Sequence, residues 1–145
     1  MSHTSTVKNI QINNIIALKA ALFELKKQGI HCNLIENSIP RGYYSNQSGL
    51  GIAPYVINIE GCSYDLGLYK NNEFYEVRGD FYGNKIGKIL GVEIVKDIDM
   101  YTASIGKLMQ AYSIAAIELS AMEKGYNITK STNSNGEVLI EIMEG

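Results

Sequence analysis

At 145 residues with 46% hydrophobic side chains, the chain has the length of one ordinary domain, 1–145, and can bury about two thirds of the surface its unfolded form exposes. A net charge of −2, with charges of both signs interspersed, leaves no basic stripe and argues against duplex nucleic acid as a partner. The start is polar and no apolar run approaches the ~18 residues of a membrane span, and the two cysteines form no CxxC, so a soluble cytoplasmic protein with free thiols is expected.

Residues 4–12 carry β-branched side chains (Thr4, Thr6, Val7, Ile10, Ile12) and read as a strand ending at Asn13-Asn14, either of which can cap a helix. In that helix Ile15, Leu18, Leu22 and Leu25 recur at helical spacing, Lys19, Lys26 and Lys27 take the other face, and Gly29 sits where a helix terminates. A short strand follows at 31–36. The loop from Asn37 to about Pro54 contains Pro40, Arg41-Gly42, Gly49 and Gly51, and a loop of that length with aromatic residues is commonly functional.

Residues 55–60 alternate as a strand, and 63–69 with 73–80 read as a hairpin. A two-residue Asn71-Asn72 loop would set Leu66 opposite Val77 on one face and Asp65 opposite Arg78 on the other. Asn84 to Leu90 predicts a short helix. A long one follows over 99–124, with Ile105, Leu108, Tyr112, Ala115, Leu119 and Met122 as its core seam and Gly125 at its end. The chain closes with a hairpin around Asn135-Gly136, joining 126–131 to 138–143. Strands linked by hairpins with two main helices inserted predict an α+β fold: a mainly antiparallel sheet of about six strands with the helices packed on one face.

Only two arginines occur, each followed by glycine in an aromatic stretch: Arg41-Gly42-Tyr43-Tyr44 and Arg78-Gly79-Asp80-Phe81-Tyr82. Lysine, isoleucine and asparagine make up 44 of the 145 residues, a bias under which arginine drifts to lysine wherever a point charge suffices. Two retained guanidinium forks beside glycine and tyrosine make plausible recognition corners; Arg–carboxylate pairs that fix the fold are the plainer explanation.

Several motifs together resemble the domain of unknown function 1257, the family of the hypothetical chloroplast reading frame 35 proteins of plastids and cyanobacteria, with relatives in bacteria and phages. They are Met1-Ser2-His3, Arg41-Gly42-Tyr43 with Asn46, Tyr64-Asp65-Leu66-Gly67, Asp80, Gln110-x-Tyr112, and Lys124-Gly125-Tyr126 before the final hairpin. The resemblance runs almost end to end. It implies that His3, Arg41, Gly42, Tyr43, Tyr64, Asp65, Gly67, Asp80, Gln110 and Tyr112 are characteristic positions, and it implies no catalytic residue. Phe81-Tyr82 stands where many relatives have paired tryptophans, so a ligand stacking there would be held differently here.

The chemistry-bearing residues show no metal-ligand spacing, no nucleophile elbow and no phosphate loop. Glu76, Arg78 and Asp80 alternate along one strand and share a face with Asp65, an arrangement suited to acid–base work, to a hard cation, or to a solvated ion-pair ladder. The expectation is a non-enzymatic intracellular binding module for an anionic or nucleotide-like small ligand or a partner protein, which in a phage setting would sequester a signal. Its ligand-binding residues would be Arg41, Gly42, Tyr43, Tyr44, Asp65, Arg78 and Asp80, with His3 at the edge, without cofactor, metal or membrane, and self-association is compatible with it. The alternative is a small metal-dependent hydrolase or nuclease using Asp65, Glu76, Asp80 and His3.

Overall fold

The computed structural model describes residues 4–42, 51–132, 134 and 138–143. Strand β1 (Thr4–Ile12) leads into helix α1 (Ile15–Lys27), where the Asn14 side chain accepts from the Ala17 N–H at 3.0 Å and so caps the helix; Gly29, at φ +87°, ends it. Strands β2 (Cys32–Ser38), β3 (Ala53–Ile59), β4 (Leu66–Asn71) and β5 (Phe74–Asp80) complete the main sheet. A 3₁₀ turn at Tyr82–Asn84 and the short α2 (Gly87–Leu90) precede α3 (Met100–Ser104) and α4 (Gly106–Glu123), and a hairpin of β6 (Asn127–Thr132) and β7 (Val138–Met143) follows.

The fold is α+β. Its five-stranded sheet has the order β1-β5-β4-β3-β2 with every neighbour antiparallel, and β6–β7 forms a separate two-stranded sheet. Alternating directions across five strands make β1 and β2 run the same way at opposite edges, so α1 must carry the chain across the sheet. It lies on the face bearing Ile57, Leu66, Leu68 and Val77, with Leu18, Leu22 and Leu25 in a core shared with Ile105, Leu108 and Tyr112. The Tyr112 hydroxyl accepts from the N–H groups of Asn13 and Asn14, at 3.1 and 3.3 Å, and ties α4 to the start of α1. No helix among the described residues is long and apolar enough to cross a membrane.

Two expectations need correction. The β4–β5 ladder pairs Asn71 with Phe74, so the turn is Asn72-Glu73 and every partner is displaced by two residues from the Asn71-Asn72 register. Faces survive such a slip, because side chains alternate with period two, but partners do not. Leu66 lies opposite Gly79, whose missing Cβ would come within 2.9 Å of a Leu66 methyl, and Arg78 lies opposite Gly67 rather than Asp65.

The predicted helix over 99–124 is two helices. Asp99 caps α3 through the Thr102 N–H at 2.9 Å, and Ile105, at φ −121°, breaks the run. The break accommodates Val92, which crosses so close to Gly106 that a Cβ there would fall 2.4 Å from its methyl. The expected closing hairpin is present: Asn127–Thr132 pairs with Val138–Met143, Thr132 opposite Val138, and Asn135-Gly136 lie outside the described residues.

Candidate functional site

Pro40, Arg41 and Gly42 leave β2 and lie flat on the sheet face opposite the helices. A Cβ on Gly67 would meet the Pro40 ring at 2.7 Å, and one on Gly42 would sit 3.2 Å from the Asp80 Cβ and 3.3 Å from its Oδ2. Glycine at 42 and 67 therefore permits the loop and the sheet to touch. Arg41 is stitched to Asp65 at several points. Its backbone N–H and Nε donate to Asp65 Oδ2 at 2.9 and 3.0 Å, Nη2 donates to Oδ1 at 2.9 Å and to the Cys62 carbonyl at 2.9 Å, and the Asp65 N–H donates to the Arg41 carbonyl at 2.9 Å. Asn58 Nδ2 adds a further bond to Oδ1 at 3.1 Å.

The Asp65 side chain is 5% exposed and that of Arg41 47%. This is a charge-assisted fork that anchors a loop, and the hydrogen bonds to Asp65 raise the guanidinium pKa further above its ordinary range.

Arg78 is organised separately. Its guanidinium stacks 4.8 Å from the centroid of the Tyr69 ring, its Nη2 donates to Glu76 Oε2 at 3.0 Å, and its Nε is buried without a hydrogen-bond partner among the described residues. Arg78, and after it the Asn71 amide, hold the Glu76 carboxyl below the usual carboxylate range. The expected Asp65–Arg78 pair is thus replaced by two pairs, Arg41–Asp65 and Arg78–Glu76, because the ladder slip takes Asp65 out of register with Arg78. Tyr69 as the stacking partner was not anticipated, although it shares the alternate positions of Asp65 and Gly67.

Asp80 is buried beside Gly42, and its Oδ1 accepts from the Tyr82 N–H at 3.0 Å. His3, Tyr43 and Tyr44 lie outside the described residues. Among the described residues no three His, Cys, Asp or Glu side chains come together as a ligand set. Cys32 and Cys62 are free thiols, and burial, followed by the neighbouring Cys62 and Glu60, pushes the Cys32 thiol up to about 11.

A second concave region lies elsewhere. A groove of about 620 Å³ runs between α1, α4 and the β6–β7 hairpin. Ala111, Ala115 and Leu119 line its apolar part, and Phe23 and Met122, 60% and 68% exposed, stand at its lips. Met122 was expected in the core seam; helical drift over four turns carries it out to the groove edge. Glu118 on the wall is paired with Lys130 at 3.0 Å, whereas Lys107 on the rim has no acidic partner among the described residues. The sequence signal for this groove was faint: Ala20, Phe23 and Met122 are apolar side chains at or beyond the margins of the two core stripes. No family model, no curated protein and no solved structure matches the chain.

Proposed function

We propose that this chain is a non-enzymatic binding module whose ligand, a small molecule with an apolar body and an anionic group, is held in the groove between α1, α4 and the terminal hairpin. The groove carries the reading: its ~620 Å³ falls in the range of roughly 300–1,000 Å³ typical of small-molecule sites, and it sets apolar side chains such as Ala111, Ile114 and Leu119 beside the charged Glu24, Lys107, Glu118 and Lys130. Burial against Ala111, Ala115 and Phe23 supplies affinity, and Lys107 selects a negative end. On this reading Arg41 and Asp65 are scaffold. Membership of the domain of unknown function 1257 family belongs to the same proposal and rests on motif order; Gln110, one of its characteristic positions, lines the groove. The hydrolase alternative draws no support from carboxylates already bonded to guanidinium groups, as Asp65 and Glu76 are.

The test uses 8-anilino-1-naphthalenesulfonate, whose fused rings and sulfonate match the two halves of the groove. One saturable site is expected on the folded protein by fluorescence, abolished by Ala20→Trp, which fills the groove from an exposed helix position, and weakened several-fold by Lys107→Glu. Binding that neither substitution alters, with both variants melting like the parent, would sink the assignment.

A further inference from the structure

The segment between α2 and α3 presents an unusual surface. Within nine residues, Val92, Ile94, Val95, Ile98 and Met100 are all exposed, Ile94 to 66%. Such a cluster is far denser than the scattered apolar side chains of an ordinary surface. The segment is nevertheless held at both ends. The Val92 N–H donates to the Ala103 carbonyl at 2.9 Å while its side chain packs on Gly106, and the Ile98 N–H closes a turn onto the Val95 carbonyl at 3.2 Å, with Asp97 at φ +72°. No hydrogen bond among the described residues uses the N–H groups of Glu93, Ile94 or Val95, or that of Lys96, which opens the turn. A fixed, apolar stretch with free backbone donors is a template for another strand.

We propose that this strand is the same segment of a second copy, paired antiparallel about a two-fold axis between Ile94 and Val95. The charge order selects that partner and that direction. With Ile94 opposite Val95, Glu93 of each copy falls opposite Lys96 of the other, giving two opposite-charge pairs by symmetry; a parallel arrangement would set Glu93 against Glu93. Neither residue is in an ion pair among the described residues, so both are available. An isologous contact needs a self-complementary patch, and Glu93-Ile94-Val95-Lys96 is self-complementary in charge and in hydrophobicity. The surface is separate from the ligand groove, so the two proposals stand or fall independently.

Sedimentation across a concentration series tests it. The parent is expected to dimerise reversibly. Glu93→Lys alone and Lys96→Glu alone each place like charges opposite one another twice, and each should weaken the dimer at least about tenfold. The double variant E93K/K96E exchanges the charges and should restore it. Both substituted positions are exposed, and unchanged melting curves of the three variants show that folding is intact. A protein that stays monomeric at the highest concentration, or a dimer that the single changes leave alone or the double change fails to rescue, overturns the proposal.

Discussion

Asp65→Ala is the change that most directly probes how the loop is fixed. It removes four acceptor contacts at once: those to Arg41 N, Nε and Nη2, and that to Asn58 Nδ2. Breaking a buried ion pair by deleting one partner costs about 3–5 kcal/mol, and a single hydrogen bond to a charged group contributes roughly 1.5–3 kcal/mol. The pair is buried only on the carboxylate side. Because the Arg41 side chain is 47% exposed, water takes over part of its solvation once the acid is gone, which lowers the expected loss to about 2–4 kcal/mol. Arg41→Lys retains a charge near Asp65 but loses the planar fork, and should cost about 1–2 kcal/mol.

Urea titrations read both losses as shifts in midpoint at constant slope. A cycle with Arg41→Ala and the double variant should give a coupling of roughly 1–3 kcal/mol. A loss below about 1 kcal/mol for Asp65→Ala, or additivity of the two alanine changes to within about 0.5 kcal/mol, would refute the strut and return Arg41 to the pool of recognition residues.

In α4, Leu108→Ala should cost about 2–5 kcal/mol because the side chain is fully buried, whereas Leu119→Ala, half-buried beside the groove, should cost no more than about 2 kcal/mol; equal losses in denaturant melts would contradict this packing. Cys32 in the folded chain should react with iodoacetamide at pH 8 far more slowly than in urea, since a thiol pushed up to about 11 holds roughly one thiolate in a thousand at that pH; labelling followed by mass spectrometry reads the ratio, and equal rates would refute the burial. The same shift sets a sign for pH dependence: the folded value lies above the ordinary 9.0, so its stabilisation is whole below pH 9 and lost between pH 9 and about 11, and Cys32→Ser should remove that portion of the alkaline loss.

Local chemistry was legible in the sequence wherever one residue's own preferences decide the outcome. Strand β1, the Asn14 cap, the Leu18–Leu22–Leu25 stripe, the stop at Gly29 and the existence of both hairpins all follow from neighbours in the chain, and the antiparallel α+β class follows from their order. Distant pairings were not. Alternation assigned Asp65, Arg78 and Glu76 to one face correctly, but a two-residue slip keeps every face and changes every partner, so period two cannot distinguish the Asn72-Glu73 turn from Asn71-Asn72. Arg41 and Asp65 lie 24 residues apart and meet only because Gly42 and Gly67 let the loop settle on the sheet. Likewise the break at Ile105 comes from Val92 crossing Gly106, and the groove exists because a hairpin outside the main sheet stands beside α1 and α4. Each of these is set by excluded volume between segments remote in sequence, a constraint that appears only once the chain has folded back on itself.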